Sequence, residues 1–230
     1  MDRIVLALLG VCALIGAGLV TDAPDSDASS PATYALAADG APIPVVALPP
    51  AAKALYADAR SERDVDLHTI AQILDRFAMR HTALAERERT RVARVIVEEA
   101  RAHDLAPDLV MAVIEVESAG YHLAESHVGA LGLMQLLPST GRELAGKLGI
   151  EWKGPDTLFD PVINVRLGTA YLRELADRYD GDVNTALAAY NWGPGRIDRR
   201  IRRGATVPRL YIEQVRRAVD RYALVTPRES

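Results

Sequence analysis

The chain has 230 residues, 49% of them hydrophobic and 25% charged, an ordinary globular composition for one domain with appendages or two small ones. A net charge of −4 argues against nucleic acid as a partner, and the single cysteine, Cys12, excludes a disulfide framework. Aromatic residues are only 5%, so the core has to be built mainly from Ala, Leu, Val and Ile.

Arg3 precedes an uncharged apolar stretch over residues 4–20. Its length lies between a long signal-peptide core and a short membrane helix. Residues 1–23 are therefore a signal peptide, with Thr21-Asp22-Ala23 as a cleavage site, or an N-terminal membrane anchor. Both readings export the rest of the chain. It would be periplasmic, or tethered through residues 4–20 to the inner membrane and facing the periplasm. Residues 24–60 read as an Ala/Pro-rich disordered linker without helical period.

Helical periodicity then takes over. Leu67, Ile70, Ile73, Leu74 and Phe77 recur at spacings of three and four, and a second helix is expected over residues 84–103, with Val92, Val95, Ile96 and Ala100 on one face. These belong to a helical N-terminal segment, 61–100, ahead of a larger domain, 101–225. A third helix should start at Pro107, because proline is favoured at the first helical position, and stop at Gly120. Further helices are expected near 138–148, 161–178, 182–190 and 208–223, with NWGPG at 191–195 as punctuation. The fold class is all-α.

The third helix carries an oddity. In LVMAVIEVES, Val110, Val113, Ile114 and Glu117 share one stripe, which places Glu117 on the core-facing side at the last turn. Glu115 falls well away from that stripe and is expected to face water. A carboxyl moved into apolar surroundings resists ionisation, so its pKa rises, which is what a general acid near neutral pH requires.

The residues that follow give this carboxyl a context. ESAGYHLAESHVGALGLMQLLPST contains a Glu-Ser pair, then Ser-x-x-Gly-Ala-x-Gly, Leu-Met-Gln and Pro-x-Thr. A second block, LFDPVINVRLGTAYLRELADRYDGDVNTALAAYNWGPGRI, holds Asn164, Gly168, Tyr171-Leu172 and Ala189-Tyr190-Asn191-x-Gly. In order and spacing these two blocks resemble the soluble lytic transglycosylases, glycoside hydrolase family 23. The resemblance implies a lysozyme-like fold and peptidoglycan glycan strands as substrate. Glu117 would be the single catalytic acid/base, cleaving the bond between N-acetylmuramic acid and N-acetylglucosamine to leave 1,6-anhydromuramic ends. Ser126, Met134 and Gln135 would line the cleft near that bond. Tyr190 and Asn191 would close the site, the Tyr190 hydroxyl holding the carboxyl, and Tyr211, matching a C-terminal tyrosine of the family, would join them in the substrate cleft. No cofactor is implied, and a cell-envelope protein is a possible partner. Where many relatives carry Glu-Thr before that tyrosine, this chain has Val207 and Pro208.

Other constellations carry less. His122 and His127 lack the spacing that places two ligands on one helix face, so no metal site is expected. Ser118 has no nucleophile-elbow context and reads as a structural hydrogen-bonding residue. The basic run at 196–209 reads as solvated surface, or as a contact for peptidoglycan carboxylates or lipid headgroups. A lysozyme-type muramidase is the alternative activity. It needs a second carboxylate, for which Asp156, Asp160 and Asp182 are the candidates. A weakly catalytic wall-binding or secretion-system accessory protein is the alternative class.

Overall fold

The computed structural model describes residues 34–36, 42–44 and 66–221. The expected signal or anchor, most of the linker and the start of the N-terminal helical segment lie outside the described residues. The chain divides into two units, residues 1–60 and 61–230. In the first, β1 (Tyr34–Leu36) and β2 (Pro42–Pro44) pair antiparallel, with Ala35 opposite Ile43. The linker reading foresaw no such pairing, because three-residue strands are too short to leave a periodic pattern.

The second unit is helical. Its elements are α1 (66–78), α2 (Glu86–Ala102), α3 (Pro107–Ser118), α4 (Pro138–Leu148), a 3₁₀ turn (Pro155–Phe159), α5 (Pro161–Arg178), α6 (Val183–Trp192), α7 (Pro194–Arg202) and α8 (Leu210–Arg221). Among the described residues no helix is long and apolar enough to cross a membrane.

The helix ends follow local chemistry. Glu88 reaches back to accept a hydrogen bond from the Ala85 N–H at 2.9 Å, starting α2. Pro107, Pro138, Pro161 and Pro194 each open a helix. Asp160 and Asp182 cap α5 and α6 by accepting from two backbone N–H groups each.

α3 is the central element. Val110, Met111, Ala112, Val113 and Ile114 are all buried, so its middle is enclosed on every side. That corrects the expectation for Glu115. Its side chain is only 9% exposed, and its Oε1 takes Arg80 at 2.9 Å and Arg221 at 2.7 Å. A helix wrapped all round has no water face in its middle, so a carboxylate there needs a paired cation.

α3 packs against α2 and α8, α5 against α2, α4 and α6, and α6 against α7 and α8. The main core fills the space around α3, and a smaller core of Leu131, Leu136, Leu144, Ala145, Leu158 and Leu167 lies under the loop from α3 to α4. Tyr171 and Tyr190 pack against both cores.

α7 was not foreseen. Gly-Pro-Gly read as punctuation, and the arginines after it as a basic run with no secondary structure assigned. In the structure Pro194 is the first helical residue and Ile197, fully buried, pins the helix. Burying that one side chain contributes about 2–3 kcal/mol, enough to hold a nine-residue helix whose other faces are polar.

Candidate active site

The loop between α3 and α4 is tied down by one buried side chain. Asn164 on α5 has no exposure. Its Oδ1 accepts from the Met134 N–H at 2.7 Å, and its Nδ2 donates to the carbonyls of Leu131 and Leu158 at 3.0 and 2.9 Å. Gly132, at φ +80°, lets the backbone come this close: a Cβ there would strike the Leu158 carbonyl and the Asn164 amide. Ser118 fastens the loop from the other side, its Oγ donating to the carbonyls of Ile114 (3.0 Å) and Leu133 (2.7 Å). The structural role read for Ser118 is the one its contacts describe.

Between this loop, α6 and α7 lies a cleft of about 710 Å³. Glu117, Ser126, Gln135, Tyr190 and Asn191 all line it, so five of the seven residues singled out in the sequence come together there.

Glu117 sits at the last turn of α3, which ends as Ala119 takes a left-handed conformation. Burial drives its pKa from the ordinary 4.5 up to about 7, against a smaller opposing effect of its hydrogen bond from Tyr211. The Tyr211 hydroxyl on α8 donates to Glu117 Oε1 at 2.6 Å. Burial holds the Tyr211 and Tyr190 hydroxyls well above their ordinary range, so both stay protonated and donate.

Three expectations need correction. Tyr190 does not hold Glu117: its hydroxyl donates to the Met134 carbonyl at 2.8 Å, and Tyr211 does the orienting. Tyr211 is buried behind the carboxyl and is not among the residues lining the cleft. The Met134 side chain does not line the cleft either. It is fully buried, with its sulfur 3.9 Å from Thr169 Oγ1, because the turn points it inward under Gly168. Its backbone, not its side chain, serves the site.

Gln135 sits at the rim in a left-handed conformation (φ +49°). Its Nε2 donates to the carbonyls of Ala124 (3.0 Å) and Gly132 (2.9 Å). Both amide protons are used within the loop, so a contact to a ligand has to come from Oε1, an acceptor. Ser126 Oγ accepts from the Ala130 N–H at 3.0 Å.

Thr140, Tyr171, Trp192, Arg196 and Arg199 also line the cleft; the sequence reading quoted the first two only within motifs and the arginines only within a basic run, without placing them at the site. Trp192 was legible as an aromatic next to Tyr190-Asn191. The arginines were not, since nothing marked α7 as a helix.

Among the described residues lining the cleft, Glu117 is the one acid. Asp160 and Asp182 are engaged as helix caps, Asp156 lies in the 3₁₀ turn, and none of the three lines the cleft. Val207 packs partly buried against the main core. Among the described residues no group of three or more His, Cys, Asp or Glu side chains is arranged to hold a metal ion.

Comparison with known proteins places these features. The family model described as "Transglycosylase SLT domain" matches residues 94–210, half of the chain. A transglycosylase of Enterobacteria phage PRD1 is 42% identical over 112 residues, taking in 43% of this chain and 38% of that protein. The soluble lytic murein transglycosylase of Salmonella typhimurium is 37% identical over 98 residues, 42% of this chain and 15% of that one. Each match spans well under half of the relative's length. In structure, the chain is similar to an inactive mutant of the lytic transglycosylase Slt from Pseudomonas aeruginosa (TM-score 0.51, 31% identity, 58% of this chain and 24% of that one). It is also similar to the 70 kDa soluble lytic transglycosylase from Escherichia coli (TM-score 0.51, 29% identity, 56% of this chain and 23% of that one).

Proposed function

The chain belongs to the transglycosylase SLT domain family, and from that premise we propose that it is a peptidoglycan lytic transglycosylase of the glycoside hydrolase family 23 type. The observation that carries the reading is a lone carboxyl with a pKa of about 7, in a cleft whose described walls hold no second acid. Hydrolysing glycosidases use two carboxylates flanking the bond, one of them to activate water or to attack the sugar. An internal nucleophile removes that need, because intramolecular attack has a high effective molarity.

In this reading the Glu117 carboxyl protonates the glycosidic oxygen as the bond from muramic C1 breaks. The muramic 6-hydroxyl then attacks C1 and its proton passes to the Glu117 carboxylate, which restores the acid. No water is consumed, and the product ends in a 1,6-anhydro sugar. Tyr211 orients the carboxyl for both proton transfers. Gln135 Oε1 and Asn191 contact the strand, with Ser126 bracing the loop beside them.

The reading places the protein on the periplasmic side of the membrane, released after residue 23 or tethered through residues 4–20. Residues 101–225 carry the chemistry, and a cell-envelope protein is a partner consistent with that location. The test is mass spectrometry of fragments released from purified peptidoglycan by the wild type and by Glu117→Gln. Anhydro fragments, one water lighter than hydrolysed ones and missing with the variant, are expected. Ordinary reducing ends would mean a muramidase, and wall binding without release would mean an accessory protein.

A further inference from the structure

The cleft does not end at its α7 wall. Trp192, Arg196 and Arg199 are shared with a second, shallower hollow of about 320 Å³, completed by Arg200, Arg203 and Ala205. The chain as a whole is acidic at −4, yet residues 194–203 carry five arginines and one aspartate.

That aspartate does not neutralise the hollow. Asp198 accepts from Arg178 Nη2 at 2.5 Å and from the Tyr179 hydroxyl at 3.0 Å, across the helix interface toward α5. Among the described residues no carboxylate lies within ion-pair distance of Arg196, Arg199, Arg200 or Arg203. Arg200 is held in place: its guanidinium lies 5.9 Å from the Trp192 ring centroid, and its Nε donates to the Thr206 carbonyl at 2.9 Å. Four like charges on one short helix and its end repel each other. Uncompensated from within, they form a ready site for a ligand with several carboxylates, which guanidinium forks bind with two parallel hydrogen bonds.

The glycan of peptidoglycan is neutral along its amino sugars. Its negative groups are the carboxylates of the peptide carried on the lactyl ether of each muramoyl residue. We propose that the arginine-walled hollow beside the cleft binds the carboxylates of this stem peptide, making the protein selective for peptide-bearing over denuded glycan. The proposal rests on the transglycosylase reading of the cleft and names the part of the substrate that reading leaves out. The shared walls favour it over an anionic bilayer. The hollow adjoins the cleft through Trp192, Arg196 and Arg199, which suits a branch on a strand bound there, whereas a flat lipid surface reaches a concave recess poorly.

The test uses the full chain and two substrates: glycan strands with stem peptides, and the same strands after amidase has removed them, which leaves one lactyl carboxylate on each muramoyl residue in place of the several carboxylates of the peptide. The readout is the ratio of kcat/KM for the two. Wild type is expected to favour the peptide-bearing strands, Arg203→Gln to lower the ratio about threefold and Arg199→Gln with Arg203→Gln about tenfold, with the loss shrinking at high salt. Circular dichroism confirms that the variants are folded. An unchanged ratio in the double variant overturns the proposal. Absence of activity on both strands would count against the transglycosylase reading. In that event the affinities of the Glu117→Gln protein for the two strands, measured by calorimetry with and without the arginine substitutions, decide the peptide site separately. Loss of binding to phosphatidylglycerol vesicles in the double variant, with strand preference unchanged, overturns the proposal in favour of a lipid contact.

Discussion

Glu117→Gln tests the environment of the carboxyl without any substrate. Burial lifts the Glu117 pKa from 4.5 in the unfolded chain to about 7 in the folded one. Between those values the folded state holds a proton that the unfolded state has released. Stability contributed by this group is therefore complete below about pH 4.5 and lost as pH rises through about 7. At about 1.4 kcal/mol for each tenfold change in the protonation equilibrium, the whole loss is about 3 kcal/mol. The amide cannot ionise, yet its oxygen still accepts from the Tyr211 hydroxyl that lies 2.6 Å from Oε1. The variant should thus gain on the wild type by about 3 kcal/mol between pH 4 and pH 8. Urea denaturation of both proteins at matched pH measures it, because the other carboxylates are common to both and cancel in the difference. A difference that stays flat across this range, or moves the other way, would show that Glu117 is solvated like any surface carboxyl and sink the general-acid argument.

The same pKa governs the rate. The kcat/KM for strand cleavage should fall above about pH 7 as one proton leaves the free enzyme. Tyr211→Phe removes the hydrogen bond that lowers the Glu117 pKa, so this limb should move to higher pH while kcat drops about tenfold or more from the loosened carboxyl. A pH–rate profile of the two proteins reads both effects. Asn164→Leu would take the side-chain partner from the Met134 N–H and the Leu158 carbonyl, while the Leu131 carbonyl keeps the Leu136 N–H at 3.1 Å, and should cost about 3 kcal/mol in urea denaturation. Gly132→Ala should destabilise by about 2–4 kcal/mol, since the added methyl meets backbone and amide atoms that cannot retreat and the φ is unfavourable.

What the sequence made legible follows from how each feature is encoded. The helices after residue 101 were readable because their starts are written in single residues, such as Pro107, Pro138 and Pro161, and their faces in a repeating period. Glu117 was readable because it falls on the stripe of Val110, Val113 and Ile114, where a carboxylate breaks the apolar pattern. Glu115 was misread because periodicity measures only the angle between two side chains. It carries no information about whether a second layer, here Arg80 and Arg221, covers the opposite face. Tyr190 and Tyr211 were harder still. Each is a tyrosine on a helix near the cleft, and only packing decides which hydroxyl meets the carboxyl and which meets the Met134 carbonyl.

In the proposed reaction, that division of labour is what lets a single carboxyl serve in both proton steps. Tyr190 bonds to the loop that Asn164 also grips, so it belongs to the fixed wall of the cleft. Tyr211 comes from α8, ninety-four residues away in sequence, and reaches Glu117 from behind. A carboxylate just formed by giving up its proton carries a full negative charge in a site that disfavours charge. The Tyr211 hydroxyl opposes that penalty, since its effect on the pKa is opposite to that of burial. Burial keeps the proton on until a glycosidic oxygen arrives, and the hydrogen bond keeps the conjugate base from being too costly once the proton has gone. Removing either influence spoils one of the two steps, which is why a site with one carboxyl also needs its tyrosine.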